Sequence, residues 1–453
     1  MYFIAQVLKS TEYGICLLLG YCVFLALYRT LLHPLRHYSG PAGAKLTDWY
    51  AGYGAIKGDL HLRAWGNHTQ YGPMAAPNVY SIFNALDPRM HHSKRRAISQ
   101  VLSESSVRAF EPVLAEQVDI FLHQLMNSAS SEPANSEPVN ISDRSRRFGM
   151  EVAVRLAFGH SLGLQTSAAY RPLLDAVEVG NYQFNFFMQL FPGAGRDDQV
   201  KDVRSKHAEH DLLSFLPDDM PLSEVWSEGA FFLIAGGDTI ACGISAQFFH
   251  LSRNPECYRQ LAAEIRSTFS DGASITSSAQ LASCRYLRAT IDETLRLSPP
   301  IPGTLWWEQA SEDSGPLVVD GHLIPRGTQL GVNTYALHHN EDYFPEPHTF
   351  RPERWLVGSS LAAKTTRGAF VPFSIGTRGC PGKVLAYLEM SLIIAKTLWY
   401  FDFEMAPGKL GLKGQSTRND SPYGENGYNL YDMFGASHVG PYLRFRPRGE
   451  GSI

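Results

Sequence analysis

The chain has 453 residues, 44% hydrophobic and 12% aromatic, with a net charge of −4. That is enough apolar material for a large core and too little positive charge for a nucleic-acid footprint. The six cysteines (16, 22, 242, 257, 284 and 380) are scattered, with no CxxC pair, which argues against a zinc site or a disulfide framework and for a reducing compartment.

The run from Tyr13 to Tyr28 carries no charge and is dominated by Leu, Ile, Val, Phe and Cys. With Arg29 snorkelling and Leu31-Leu32 beyond, it reaches the roughly 20 residues that span a bilayer. No small-x-small cleavage site follows it; Arg29 and Arg36 follow instead, so it reads as a signal anchor with the body on the cytosolic side. Residues 1–32 are therefore expected to anchor the chain and residues 33–453 to form the body, with His33-Pro-Leu35 breaking the helix between them. Asp48 to Tyr53 and Leu60 to Gln70 look like short helices. Asp87-Pro88 opens a helix that runs to about Leu102, in which His91 and Arg95, four apart, share one face. Asn127 to Asn140 (NSASSEPANSEPVN) is a loop by composition. Val152 to Phe158 continues a helix, and Asn181 to Pro192 is an aromatic cluster.

Ser223 to Ser252 reads as a long helix with Ser223 as its N-cap. It contains Ala235-Gly236-Gly237-Asp238-Thr239. Each interior glycine costs roughly 1 kcal/mol relative to alanine, so the pair needs a reason. One is close packing against a neighbouring helix. The other is room for a ligand, with Thr239 bonding back to the Ala235 carbonyl. Leu281 to Ser298 is a further helix, stopped by Pro299-Pro300, with Glu293 and Arg296 three apart. Gly303 to Trp307 and Leu317 to Ile324 look like short strands, the latter turning at Asp320-Gly321. Phe373-Ser-Ile-Gly-Thr-Arg-Gly-Cys-Pro-Gly382 then sets one cysteine among three glycines, which let the backbone turn sharply and approach something flat and bulky. Pro381 suits the first turn of a helix, and Val384 to Leu398 is that helix, mostly buried. The Cys380 sulfur thus sits at a helix N-terminus, where free N–H groups and the dipole favour a thiolate, a good iron ligand. Taken alone, the loop also suits a buried structural thiol or a nucleophile.

As a whole the stretch resembles the haem-binding loop of the cytochrome P-450 family: Phe, two residues, Gly, one residue, Arg, one residue, Cys, one residue, Gly. Phe373, Gly376, Arg378, Cys380 and Gly382 fill every fixed position, and the resemblance extends from about Tyr28 to Arg448. It implies a mainly α fold with small β-sheets, a single large haem domain behind an N-terminal membrane helix. It implies heme b with Cys380 as axial thiolate, and monooxygenation of a lipophilic small molecule by dioxygen, as in fungal secondary metabolism. His33-Pro-Leu35 resembles the proline-rich hinge of microsomal members, which implies the endoplasmic reticulum membrane.

By the same resemblance, His91, Arg95 and Arg378 hold haem propionates. Thr239 and Asp238 line the oxygen-binding groove and deliver protons. Glu293 and Arg296 form a buried network with Arg354 of Phe350-Arg-Pro-Glu-Arg354-Trp. The aromatic cluster becomes a roof over the substrate, and Tyr428–Phe434 with Gly440–Pro447 becomes a final hairpin. With no flavin or nicotinamide motif, electrons would come from an NADPH-dependent membrane reductase docking near Cys380. The chain departs from the family pattern in being short after Gly72 and after Pro192. It has Ile240 where a second hydroxyl residue is common, and Trp307 where an arginine usually binds a propionate; His338 is left to take a propionate or a structural role. Two other readings stay open: a member that rearranges or dehydrates its substrate without dioxygen, against which Asp238-Thr239 argues, and a degenerate, non-catalytic member.

Overall fold

The computed structural model describes residues 88–130, 136–175, 177–178 and 222–449, apart from 310–314, 327, 357, 359–360 and 417–426; of the first 87 it describes 13, 16–17, 20–32, 41, 43, 46–47, 49–59 and 62–63. The expected helix over Leu60–Gln70, the aromatic cluster and the two short regions fall outside those residues, entirely or nearly so.

Residues 20–27 are helical and run into a π-helical turn, Tyr28–Leu32. Tyr21, Val23, Phe24 and Leu27 are each more than half exposed, so no described part of the body covers this apolar helix. The helices that follow are α1 (Trp49–Lys57), α2 (Pro88–Val101), α3 (Glu104–Met126), α4 (Ile141–Phe158), α5 (Leu222–Arg253), α6 (Pro255–Thr268), α7 (Ala279–Ser283), α8 (Arg285–Leu297), α9 (Thr334–His338), α10 (Leu361–Ala369), α11 (Lys383–Tyr400) and α12 (Gly408–Gly411). Their ends follow local chemistry. Ser103 caps α3 by accepting from the Ser106 amide, Pro255 opens α6, and α4 stops where Gly159 turns left-handed at φ +66°. α5 begins at Leu222, so Ser223 lies inside the helix rather than capping it. The expected helix over Leu281–Ser298 is broken at Cys284, whose ψ of 85° is not helical.

α3, α4, α5, α6, α8 and α11 enclose the main core, in which Phe148, Ile244, Phe248, Ile291, Ile393 and Leu398 are fully buried. Among the described residues one helical stretch is apolar and long enough to cross a membrane, Phe231–Arg253, and 56% of its apolar 18-residue window is buried inside the protein. It is a core helix.

The sheets are small and antiparallel. β1 (Val139–Asn140) and β6 (Phe401–Met405) flank β9 (Tyr442–Pro447); β2 (Thr304–Glu308) pairs with β5 (Gln329–Asn333), β3 (Leu317–Val319) with β4 (His322–Ile324), and β7 (Leu430–Met433) with β8 (Gly435–His438). Asp320 and Gly321 both take positive φ, which the two-residue hairpin turn between β3 and β4 requires. The C-terminal hairpin differs from expectation: its second strand is Gly435–His438, with Phe434 at the turn, while Tyr442–Pro447 joins the other sheet. Tyr442–Pro447 carries the clearer strand pattern, whereas Gly435–His438 (GASH) is short and has no apolar alternation to mark it.

Candidate functional site

The Cys380 loop is shaped by backbone geometry. Ser374 and Gly376 take φ of +56° and +71°, and the Cys380 amide donates to the Phe373 carbonyl at 2.7 Å, closing the loop on itself. At Gly376 the positive φ is what makes glycine the natural residue. Phe373 packs against Tyr387 of α11, ring centroids 5.2 Å apart. The Gly379 carbonyl accepts from the Arg95 guanidinium, so α2 is tied to the loop. His91 stands one turn earlier on α2, but its side chain is outside the described residues. Arg378 is exposed at the end of the short turn Gly376–Arg378.

Cys380 is exposed at the start of α11. The amides of Gly382 and Lys383, together with Arg95, pull its thiol pKa down, but crowding by surrounding protein atoms outweighs them and pushes it up. The donor set still fits an iron porphyrin. The loop offers a single sulfur, the amides of Gly382 and Lys383 reach it, and a Cβ added at Gly376 would meet no atom within 4 Å.

A charged network lies beneath the loop. Glu293 and Arg296 of α8 are fully buried and bonded bidentately, at 3.0 and 2.8 Å. Arg354 and the Trp355 indole also donate to Glu293, both at 2.9 Å, as does the Arg351 amide at 3.0 Å. The remaining guanidinium donors reach carbonyls of His338, Pro347 and Thr349 from Arg296, and of Pro345 and Glu346 from Arg354. His338 carries the network to the loop. Its ring stacks on Phe370, and its Nε2 accepts from the Val371 amide at 3.0 Å, two residues before Phe373. Burial lowers its pKa to about 3, which suits this neutral structural contact rather than pairing with a propionate. Trp307 is paired through its backbone with Leu330; its side chain is outside the described residues.

The third part is the middle of α5. Thr239 Oγ1 donates to the Ala235 carbonyl at 2.6 Å while the backbone stays helical. The glycine pair is explained by packing. A Cβ on Gly236 would lie 3.3 Å from the Ala153 Cβ and one on Gly237 3.3 Å from the Met150 Cα, while a Cβ on Gly149 of α4 would lie 2.5 Å from the Gly237 carbonyl oxygen. Gly149 escaped the sequence reading because nothing in the chain marks which helix α5 will meet. Asp238, one residue on, faces the C-terminal hairpin: a Cβ on Gly435 would lie 3.8 Å from the Asp238 Cβ.

A lone cysteine on a glycine loop at a helix start, tied to an arginine of another helix and braced by a buried acid–arginine network, defines a haem-thiolate type of site. The sequence profile of the family Cytochrome P450 matches residues 204–417, which include the loop. The chain is 30% identical to Cytochrome P450 monooxygenase apf7 of Gibberella fujikuroi, over 94% of this chain and 96% of that protein. It is 30% identical to Cytochrome P450 monooxygenase poxM of Penicillium oxalicum over 97% and 95%, and 31% identical to Cytochrome P450 monooxygenase atnE of Emericella nidulans over 95% of each. The chain belongs to the cytochrome P450 family.

Proposed function

We propose that the protein is a haem-dependent monooxygenase that puts one oxygen atom of dioxygen into a lipophilic small molecule of fungal secondary metabolism. The observation that carries this reading is the Cys380 loop, whose one sulfur is met by the amides of Gly382 and Lys383. The names of the fungal relatives support it. When bound, heme b supplies the oxygen chemistry, and a thiolate ligand favours O–O cleavage.

The chain's own residues take the following parts. Cys380 ligates the iron; the amides behind it offset the negative charge of the thiolate form. Phe373, Gly376 and Gly382 shape the loop. Arg378, Arg95 and His91 would hold the propionates. Asp238 and Thr239 deliver protons, and the Thr239–Ala235 bond fixes where the hydroxyl points. Glu293, Arg296 and Arg354 hold the floor beneath the loop. Electrons come from an NADPH-dependent reductase. Residues 1–32 anchor the chain in the endoplasmic reticulum membrane with the body in the cytosol, a reading supported by the exposed apolar helix. The alignment with the Gibberella fujikuroi relative spans 516 positions, more than this chain's length, which supports the reading that it is shortened within its body.

The test is the spectrum of the reduced, carbon monoxide-bound protein. A Soret band red-shifted from that of histidine-ligated haem, lost in Cys380→Ala, is the expected result. Persistence of that band in Cys380→Ala refutes the ligand.

A further inference from the structure

Asp238 shares a small cavity of about 20 Å³ with Arg146, Glu178, Gly435, Ser437 and His438. Roughly 10–15 Å³ is enough for one water where two to four polar groups surround it, and Asp238, Ser437, Glu178 and Arg146 supply those groups. The polar line does not stop there. Ser437 Oγ donates to Glu178 Oε1 at 2.7 Å, and Arg146 of α4 sits 3.0 Å from Glu178 Oε2. The Glu178 side chain is 39% exposed, so bulk water reaches it. His438 stands aside: its Nε2 is engaged with the Ser245 hydroxyl at 3.1 Å.

We propose that Glu178, Ser437 and one water in this cavity form the path by which Asp238 is supplied with protons from solvent. The proposal rests on the monooxygenase reading and adds to it residues beyond the Asp238-Thr239 pair. The transfer balances without electrons. Bulk water protonates the Glu178 carboxylate. Glu178 passes that proton to Ser437 Oγ as the hydroxyl releases its own to the cavity water, and the water releases one to the Asp238 carboxylate. One proton has moved inward, and Glu178 and Ser437 are regenerated. Arg146 is a positioning residue: it fixes the rotamer of Glu178 from the side away from Ser437.

The competing view is that Glu178 and Ser437 merely latch the hairpin to α4. The experiment uses the full-length, haem-loaded protein with a reductase and a lipophilic alkoxycoumarin as probe substrate. Glu178→Gln preserves an acceptor for Ser437 but cannot carry a proton, and Ser437→Ala removes the hydroxyl. Each should lower product formed per NADPH oxidised roughly tenfold, less than the 10²–10⁴ a general acid itself contributes, and raise the solvent deuterium isotope effect. Glu178→Asp should recover most of the loss. The carbonyl band and melting temperature should remain those of the parent. A crystal structure of the parent should show an ordered water bonded to both Asp238 and Ser437. A dry cavity overturns the proposal. So do unchanged product yield and isotope effect in both variants, or a loss that comes only with a lowered melting temperature. If the parent lacks the carbonyl band, the monooxygenase reading fails instead, and the presence or absence of that water alone decides whether the path exists.

Discussion

Glu293 and Cys380 are connected through His338, yet they are held in different ways. Glu293 sits at zero exposure and gathers donors from Arg296, Arg351, Arg354 and Trp355. Cys380 is exposed, and the loop around it is closed by a few backbone bonds, of which Cys380 to Phe373 is the widest. Burying a carboxylate and two guanidiniums is costly unless all of their hydrogen-bonding groups are met, and here the partners come from α8 and from three later segments. The difference separates two tasks. The network fixes where the loop starts, and the loop stays open on the side that must receive something flat.

The largest effect should come from breaking the closed side. Glu293→Ala leaves Arg296 and Arg354 buried without their counter-charge, and should cost about 3–5 kcal/mol in a urea titration. A loss under about 1 kcal/mol would mean that the network is not what holds the floor. Acid should act next. His338 is buried and neutral, its pKa lowered to about 3 from 6.5. Between those values the unfolded chain binds a proton that the folded chain does not, so stability is complete above about pH 6.5 and falls as pH is lowered through that window. This one group contributes a slope of about 1.4 kcal/mol per pH unit. His338→Gln should flatten the fall in unfolding free energy between pH 5.5 and pH 4 by about that amount per unit; an unchanged slope would place the titration elsewhere.

The open side should respond less. Gly376→Ala meets no neighbour but must hold a left-handed φ, for about 1–2 kcal/mol. A glycine-like midpoint in that variant would show that the loop relaxes freely. The smallest structural effect should be that of Cys380→Ser, under about 0.5 kcal/mol when both forms are compared free of haem, so that ligand binding does not add to the difference. The same change should abolish the red-shifted carbonyl band. The residue that matters most to the chemistry should then matter least to the fold.

What the sequence made legible were the places where chemistry sits on adjacent residues. The Cys380 loop and the Gly-Gly-Asp-Thr run are local, and Glu293–Arg296 is three apart on one helix. What stayed hidden depends on partners distant in the chain. Gly149 has no motif of its own and acquires meaning only against Gly237. The break at Cys284 is a single ψ in an otherwise helical pattern. The choice of Gly435–His438 over Tyr442–Pro447 as hairpin strand is made by β6 and β1, which claim the latter.

The crossing of α4 and α5 has an evolutionary reading. Gly149 and Gly237 are held by the same close crossing: a Cβ at 149 would lie 2.5 Å from the Gly237 carbonyl oxygen, and one at 237 would lie 3.3 Å from the Met150 Cα. Neither position takes a side chain while the helices keep this spacing. A lineage that enlarged residue 149 would have to push the two helices apart, and Asp238 and Thr239 would move with the backbone they stand on. On the roles proposed for Asp238 and Thr239, selection on the reaction should thus reach a glycine on a different helix. Among descendants of this chain, substitutions at 149 should be tolerated only with changes that re-space α4 and α5, and a mutational library that varies residues 235–239 while ignoring 149 would sample only half of the interface that governs them.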